Sequence, residues 1–192
     1  SQTLNFTVGE IAKLPVVNFV SQIQEEAVAE LLDISQKDWD SAETSWSFST
    51  FPLAAELKTK SLAESWISWN IDSEKNASRT KELEKINNQV FIDAYGLEYE
   101  LSPEIAENQI TLYRADREKD CQRLISYAIG CMMGRYSLDE RGMIYANAGN
   151  VGFDATRYKI FPADTDGIVP VTDELWFEDD AAGRVREFLR AV

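Results

Sequence analysis

Two acidic stretches and one basic one carry the side chains from which chemistry could be assembled. Asp164-Thr165-Asp166-Gly167 sets two carboxylates ahead of a turn-forming glycine, as a calcium loop does. In that register the first ligand position falls on Pro162, the ninth on Pro170, and Asp173 stands where a bidentate glutamate is usual. An Asx-type turn accounts for the stretch better. Glu178, Asp179 and Asp180 could join other carboxylates around a divalent ion, but a charged first helical turn is the commoner use of such a run. Arg114, Arg117, Lys119 and Arg123 form the notable basic concentration, suited to phosphate or partner contact. Asp116, Glu118 and Asp120 are interleaved with them, so the same residues also make a self-paired helix face. Arg135, beside Tyr136, either sits at a functional surface or satisfies carbonyls at a helix end.

The remaining chemistry is excluded by type. The sequence holds no histidine, which removes a histidine triad, a histidine metal site and a histidine pH switch. Asn147 to Gly152 has glycines, yet no Gly-x-Gly-x-x-Gly and no following Lys-Ser/Thr, so it reads as a loop. Catalytic, cofactor-binding and metal-binding residues are therefore expected to be none. Arg114, Arg117, Lys119, Arg123 and Arg135 are the candidates for DNA or partner contact.

Most of these side chains must be carried by one helix. Arg114 to Gly142 is the longest amphipathic pattern, and its second half is apolar almost all round. Cys121, Leu124 or Ile125, Ala128, Met132 and Tyr136 recur every three or four residues, and Asp116 or Thr111 could cap the first turn. Ser126, Gly130 and Gly134 lie four apart, a small-residue face that a second helix could approach. Mid-helix glycine costs roughly 0.5–1 kcal/mol relative to alanine, so a packing gain is expected there. The apolar run is far shorter than the roughly 20 residues of a membrane span.

Around this centre, Thr3 to Val17 alternates apolar Leu4, Phe6 and Val8 and reads as a strand turning at Gly9. Ser21 and Gln24 have capping-box spacing ahead of a helix over about Gln22 to Leu32. Asp38 to Leu57 reads as a loop with short turns pinned by Trp39, Trp46, Phe48 and Phe51. Leu62, Trp66, Trp69, Leu83, Ile86 and Val90 are helical anchors, and the polar stretch Asp72 to Glu82 leaves open one long helix or two in line. Gly96 stops that pattern as a left-handed cap. Ile160 to Val171 looks extended, with a short strand or two, and Glu178 to Asp180 open a last helix burying Val185, Phe188 and Leu189. The expected class is mainly α, a bundle-like domain around a central helix at about 114–137, with minor β at the N-terminus and near 160–171. The expected divisions are 1–20 as strand and linker, 21–150 as the helical domain, and 151–192 as an extended segment and helix packing on it.

The 192 residues are 44% hydrophobic, enough for a sizeable core. Nineteen basic and thirty-three acidic side chains leave a net charge of −14, which opposes unaided binding to a phosphate backbone. Cys121 and Cys131 sit about 15 Å apart along one helix, too far to bridge. Two such thiols, with no charged-then-apolar leader, point to the cytoplasm and to no membrane. Without a secretion signal, the acceptor-like triplets at Asn5 and Asn76 carry little weight. A start at Ser1 hints at an excised segment.

Four stretches carry a resemblance: ELEKINNQVFIDAYGLEYELSPE at Glu82 to Glu104, ADREKDCQRLISYAIGCMMGRYSLDERG at Ala115 to Gly142, IFPADTDGIVPV at Ile160 to Val171, and WFEDDAAGRVREFL at Trp176 to Leu189. In order and spacing they resemble the adenine-specific DNA methyltransferases of BREX phage-defence systems, the PglX family, often labelled type II restriction enzyme methylase subunits. NFTVGEIAKLPV at Asn5 to Val16 resembles the segment that follows the catalytic domain there. The resemblance implies methyl transfer from S-adenosylmethionine to the exocyclic nitrogen of adenine, with the base flipped from the duplex. The family's Asn-Pro-Pro-Tyr and glycine-containing cofactor motifs are absent from this sequence. It implies a non-catalytic spacer or recognition-supporting fragment, without methylation by these residues alone. S-adenosylmethionine and DNA would be bound by the parent enzyme, and other domains of the polypeptide or other defence proteins would be the partners. A stand-alone acidic interaction module, using the tryptophan-rich segment Trp39 to Trp69, is the alternative from a different class.

Overall fold

The computed structural model describes residues 7–17, 22–57, 59–147, 149, 151–174, 176–177 and 179–192. Its elements are α1 (Val8–Ile11), α2 (Gln22–Asp40), α3 (Pro52–Glu56), α4 (Leu62–Tyr95), α5 (Arg117–Met132) and α6 (Ala181–Ala191), with 3-10 turns at Glu107–Gln109 and Ala155–Arg157. The fold is mainly α, as the sequence implies.

The central helix is α5. Its N-cap is Asp116, whose carboxylate accepts from the amides of Glu118 and Lys119, both at 3.1 Å. These bonds, led by the one from Lys119, hold the Asp116 carboxyl below its ordinary value. The helix ends at Met132, short of the expected 137, because Gly134 turns the chain back with a φ of 72°. The Arg135 amide then donates to the Gly130 carbonyl at 2.8 Å, closing the end of the helix.

That reversal corrects the expected use of the small-residue face. No second helix lies on Gly130; the ring of Tyr136 does, so close that a β-carbon at 130 would fall 2.6 Å from Cδ2. Gly134 is likewise covered by Phe153 and Tyr158, and the Tyr158 hydroxyl donates to the Gly134 carbonyl at 2.6 Å. The glycines make room for aromatic rings returning from the next turn.

Two compact units divide the chain: Ser1–Leu32 with Arg79–Ile110, and Asp33–Ser78 with Thr111–Val192. In the first, α2 and α4 are joined by Gln24 to Asn87 at 3.2 Å and by a fork from Arg79 to Glu30 at 2.7 and 2.8 Å. Ala27, Leu83, Ile92 and Ile110 are its buried apolar residues among those described. Tyr95 ties the entering chain down, donating to the Pro15 carbonyl at 2.8 Å and accepting from the Val17 amide at 3.3 Å. Gly96, at φ 66°, caps α4 as expected, with the Leu97 amide donating back to Ile92 at 3.0 Å.

In the second unit the core gathers Phe48, Phe51, Leu53, Leu124, Tyr127, Ala128, Cys131, Met132, Tyr136, Phe161 and Phe188. Tyr127 is at its middle, stacked on Tyr136 at 5.2 Å and edge-on to Phe48 and Phe188. Helix α6 packs on α5 through Phe188, which is wholly buried, whereas Leu189 stays largely exposed. Asp180 caps α6 by accepting from the Gly183 amide at 2.7 Å.

Helix α4 is a single helix of 34 residues. Ser61 and Glu64 begin it as a reciprocal capping box: Glu64 accepts from the Ser61 amide at 2.9 Å, and the Glu64 amide donates to Ser61 Oγ at 3.3 Å. Its polar stretch stays helical because Ser73 faces main chain rather than an apolar partner. Ser73 Oγ donates to the Tyr113 carbonyl at 2.8 Å and accepts from the Ala115 amide at 3.1 Å.

Three further expectations differ. Helix α2 continues to Asp40, eight residues past the expected Leu32, burying Ile34 and bridging Asp33 to Lys37 at 2.7 Å. The minor β content is absent among the described residues. Val8–Ile11 is a helical turn whose Val8 and Ile11 are exposed, with no neighbouring strand to pair; Leu4, Phe6 and Ser21 lie outside the described residues. Over 160–171 the Asp164 amide donates to the Met132 carbonyl at 2.7 Å, and the amides at 166–168 go to side chains instead of a ladder. Asp164 Oδ1 accepts from Asp166 and Gly167 at 3.0 and 2.9 Å, and Asp166 Oδ1 accepts from Ile168 at 2.8 Å. These are the Asx turns expected at this stretch.

Candidate functional site

The basic run at the start of α5 is organised by a carboxylate within it. Asp120 is fully buried one turn into the helix. Its Oδ1 accepts from the Tyr113 hydroxyl at 2.8 Å and lies 3.5 Å from Arg123 Nη1. Its Oδ2 accepts from the Trp66 indole at 3.2 Å and the Asp116 amide at 3.0 Å. A carboxylate taken out of water needs such donors, and these come from α4, the loop before α5 and α5 itself. Burial and the bond to Asp120 raise the Tyr113 hydroxyl above its ordinary value, against the influence of Arg123.

Arg123 continues the cluster inward. Its guanidinium lies 4.5 Å over the Tyr113 ring and 5.0 Å over Phe51, and donates to the Ser41 carbonyl at 3.0 Å. Asp38 receives the Tyr113 amide at 3.2 Å on each oxygen; burial raises its carboxyl despite that bond and the nearby Arg123. Asp120, Arg123, Tyr113 and Trp66 thus form a network that locks α5 to α4. Sequence reasoning singled out Arg123 but missed the buried Asp120, because its partners are up to 54 positions away.

The other candidate cations are distributed differently. Arg114 lies 3.7 Å from Glu74, and Lys119 lies 3.6 Å from Asp116 with most of its side chain in solvent. Arg117 is exposed at the edge of a groove of about 430 Å³ lined by Leu53, Leu62, Trp66, Ile67 and Cys121. Arg135 is exposed past the end of α5. The structure therefore turns Arg123 into the interior and leaves Arg117, Lys119 and Arg135 as surface charges.

The tryptophans of the segment Trp39 to Trp69 also divide. Trp66 and Trp69 are partly buried against the core of the second unit, whereas Trp39 and Trp46 are exposed. Among the described residues no group of three or more cysteine, aspartate and glutamate side chains is arranged to hold a metal ion. No helix among them is long and apolar enough to cross a membrane. The arrangement can bury charge, brace helices and present side chains to another surface.

No profile of a known protein family matches the chain. Over 99% of its length it is 37% identical to the adenine-specific methyltransferase BrxX of Escherichia coli O9:H4 (strain HS). Over 98% it is 34% identical to the adenine-specific methyltransferase PglX of Lacticaseibacillus casei (strain Zhang). The chain spans 17% and 16% of the lengths of these two proteins.

Proposed function

We infer that this chain, kin to one segment of the adenine-specific methyltransferases BrxX and PglX, is a non-catalytic helical part of an S-adenosylmethionine-dependent adenine-N6 DNA methyltransferase of a phage-defence system. The observation that carries this is a match running almost the whole length of the chain while covering only 17% of BrxX. Methyl transfer, cofactor binding and base recognition then belong to the rest of the parent, and this segment spaces or braces those parts. A brace needs rigidity, which the Asp120 network and the aromatic core supply. A net charge of −14 repels DNA over a screening length of about 8–10 Å, so phosphate contacts fall mainly to other domains. Contacts made by this segment would use Arg117, Lys119 and Arg135, the most exposed of the candidates.

The test is the size of the native polypeptide, followed by binding. Immunoblotting source lysate with antibody against this chain should show a band several times heavier than 21.8 kDa. The purified chain should neither bind S-adenosylmethionine in calorimetry nor retain duplex DNA above weak background at physiological salt. Cofactor binding or submicromolar DNA binding overturns the non-catalytic assignment. A band at 21.8 kDa overturns the fragment assignment and favours a free-standing interaction module, the reading that exposed Trp39 and Trp46 support.

A further inference from the structure

Between α2 and α3 the chain makes a series of turns that present Trp46 with a relative exposure of 102%. A large aromatic surface left wholly in water is costly, and tryptophan is enriched where proteins meet. This one stands over a pocket of about 210 Å³, the size of one long side chain, walled by Phe48, Tyr136, Met143 and Glu43. Phe48 and Tyr136 are buried and held edge to face at 5.2 Å, so that wall is rigid. Glu43 is half-buried, with Oε2 3.5 Å from the Tyr136 hydroxyl. Among the described residues no lysine or arginine lines the pocket.

Aromatic faces with a carboxylate at the wall favour a cation, because ring quadrupole and charge attract the same ligand. The surrounding charge agrees. Asp40 lies nearby, its Oδ1 accepting from Ser45 Oγ at 2.5 Å, and the whole chain is strongly acidic. Arg135, next to Tyr136 in the chain and exposed, is not among the residues that line the pocket. A phosphate-bearing ligand would meet Glu43 first.

We propose that the Trp46–Glu43 pocket receives an arginine side chain from the basic surface of a separate partner protein. A planar guanidinium stacks on the indole while its N–H groups reach the carboxylate, a combination that an ammonium group matches less well. This pocket is distinct from the Asp120 network and does not depend on what the parent enzyme catalyses.

The test uses the 192-residue chain, 15N-labelled at its tryptophan indoles, with the Trp46 signal identified by its loss in Trp46→Phe. The probes are acetyl-Gly-Arg-Gly-amide, the same peptide with citrulline for arginine, and adenosine monophosphate. The arginine peptide should shift the Trp46 signal saturably at millimolar concentration, and the uncharged citrulline peptide should not. Glu43→Gln should weaken binding about fivefold or more, in keeping with the loss of a partly desolvated charge contact. Arg135→Ala should leave it unchanged or tighter. Trp46 and Glu43 both reach solvent, so their variants should keep the parent circular dichroism spectrum. An unmoved Trp46 signal, an equal response to citrulline, or binding of adenosine monophosphate that requires Arg135 each overturns the proposal.

Discussion

Gly130→Ala is the substitution whose sign depends most directly on one contact. In an isolated helix the change should stabilise by roughly 0.5–1 kcal/mol, since alanine loses less backbone entropy than glycine. Gly130 has an ordinary helical φ, so its backbone does not oppose the change. The obstacle is Tyr136, whose Cδ2 and Cε2 would lie 2.6 and 2.7 Å from the new methyl. That ring has little room to retreat, being stacked on Tyr127 at 5.2 Å and set against Phe48 at 5.2 Å. Overpacking of this kind costs about 1–3 kcal/mol, which outweighs the propensity gain. Gly130→Ala should therefore destabilise by about 1 kcal/mol, or a fall in Tm of about 2–4 °C for a chain of this size. With the ring removed by Tyr136→Ala, the same substitution should stabilise by about 0.5–1 kcal/mol, giving a coupling of about 1–3 kcal/mol between the sites. Urea titrations of the four proteins, followed by near-UV and far-UV circular dichroism, measure all the terms. Equal stabilisation by Gly130→Ala in both backgrounds would refute the tight contact and return Gly130 to the role of an ordinary helix position.

Two further outcomes follow from the interior. Asp120→Ala should cost about 3–5 kcal/mol in urea, because Arg123, the Trp66 indole and the Tyr113 hydroxyl lose their common acceptor; Asp120→Asn, which keeps the shape and one carbonyl oxygen, should cost less. For the thiols, burial pushes Cys131 up to about 12 from an ordinary 9.0, so a maleimide should modify half-buried Cys121 and leave Cys131 untouched until the fold opens. Because the folded value is the higher one, the Cys131 contribution to stability is complete below about pH 9.0 and is lost as pH rises toward about 12. Equal labelling of both thiols at pH 8 would contradict that burial.

Legibility in the sequence followed the distance over which each interaction acts. The Asp116 cap, the Gly96 stop and the Asx turns at Asp164 and Asp166 are bonds between residues only a few positions apart, and their residue types announce them. The Ser61–Glu64 capping box was equally local and went unread, although its spacing matches that noted at Ser21 and Gln24. Tyr127 was absent from the stripe that included Tyr136, yet it is the largest fully buried side chain among the described residues; three positions after Leu124, it fits the same spacing. The Asp120 network could not be seen because Trp66 and Asp120 meet only after α4 and α5 have packed. The small-residue face was visible, but what covers it depended on the reversal at Gly134, which brings Tyr136 back over its own helix.

The hold of Ser73 on the segment before α5 bears on which changes this part of the chain tolerates. One hydroxyl meets a carbonyl at 113 and an amide at 115, both atoms that every residue at those positions possesses, proline's missing amide aside. The fastening is indifferent to the side chain between them, so Arg114 can be exchanged without loosening it. Loss or gain of a single residue there shifts the carbonyl and amide out of step with the hydroxyl, and with them the Tyr113 ring and the Asp116 cap. The segment leading into the central helix is thus specified more by its length than by its letters.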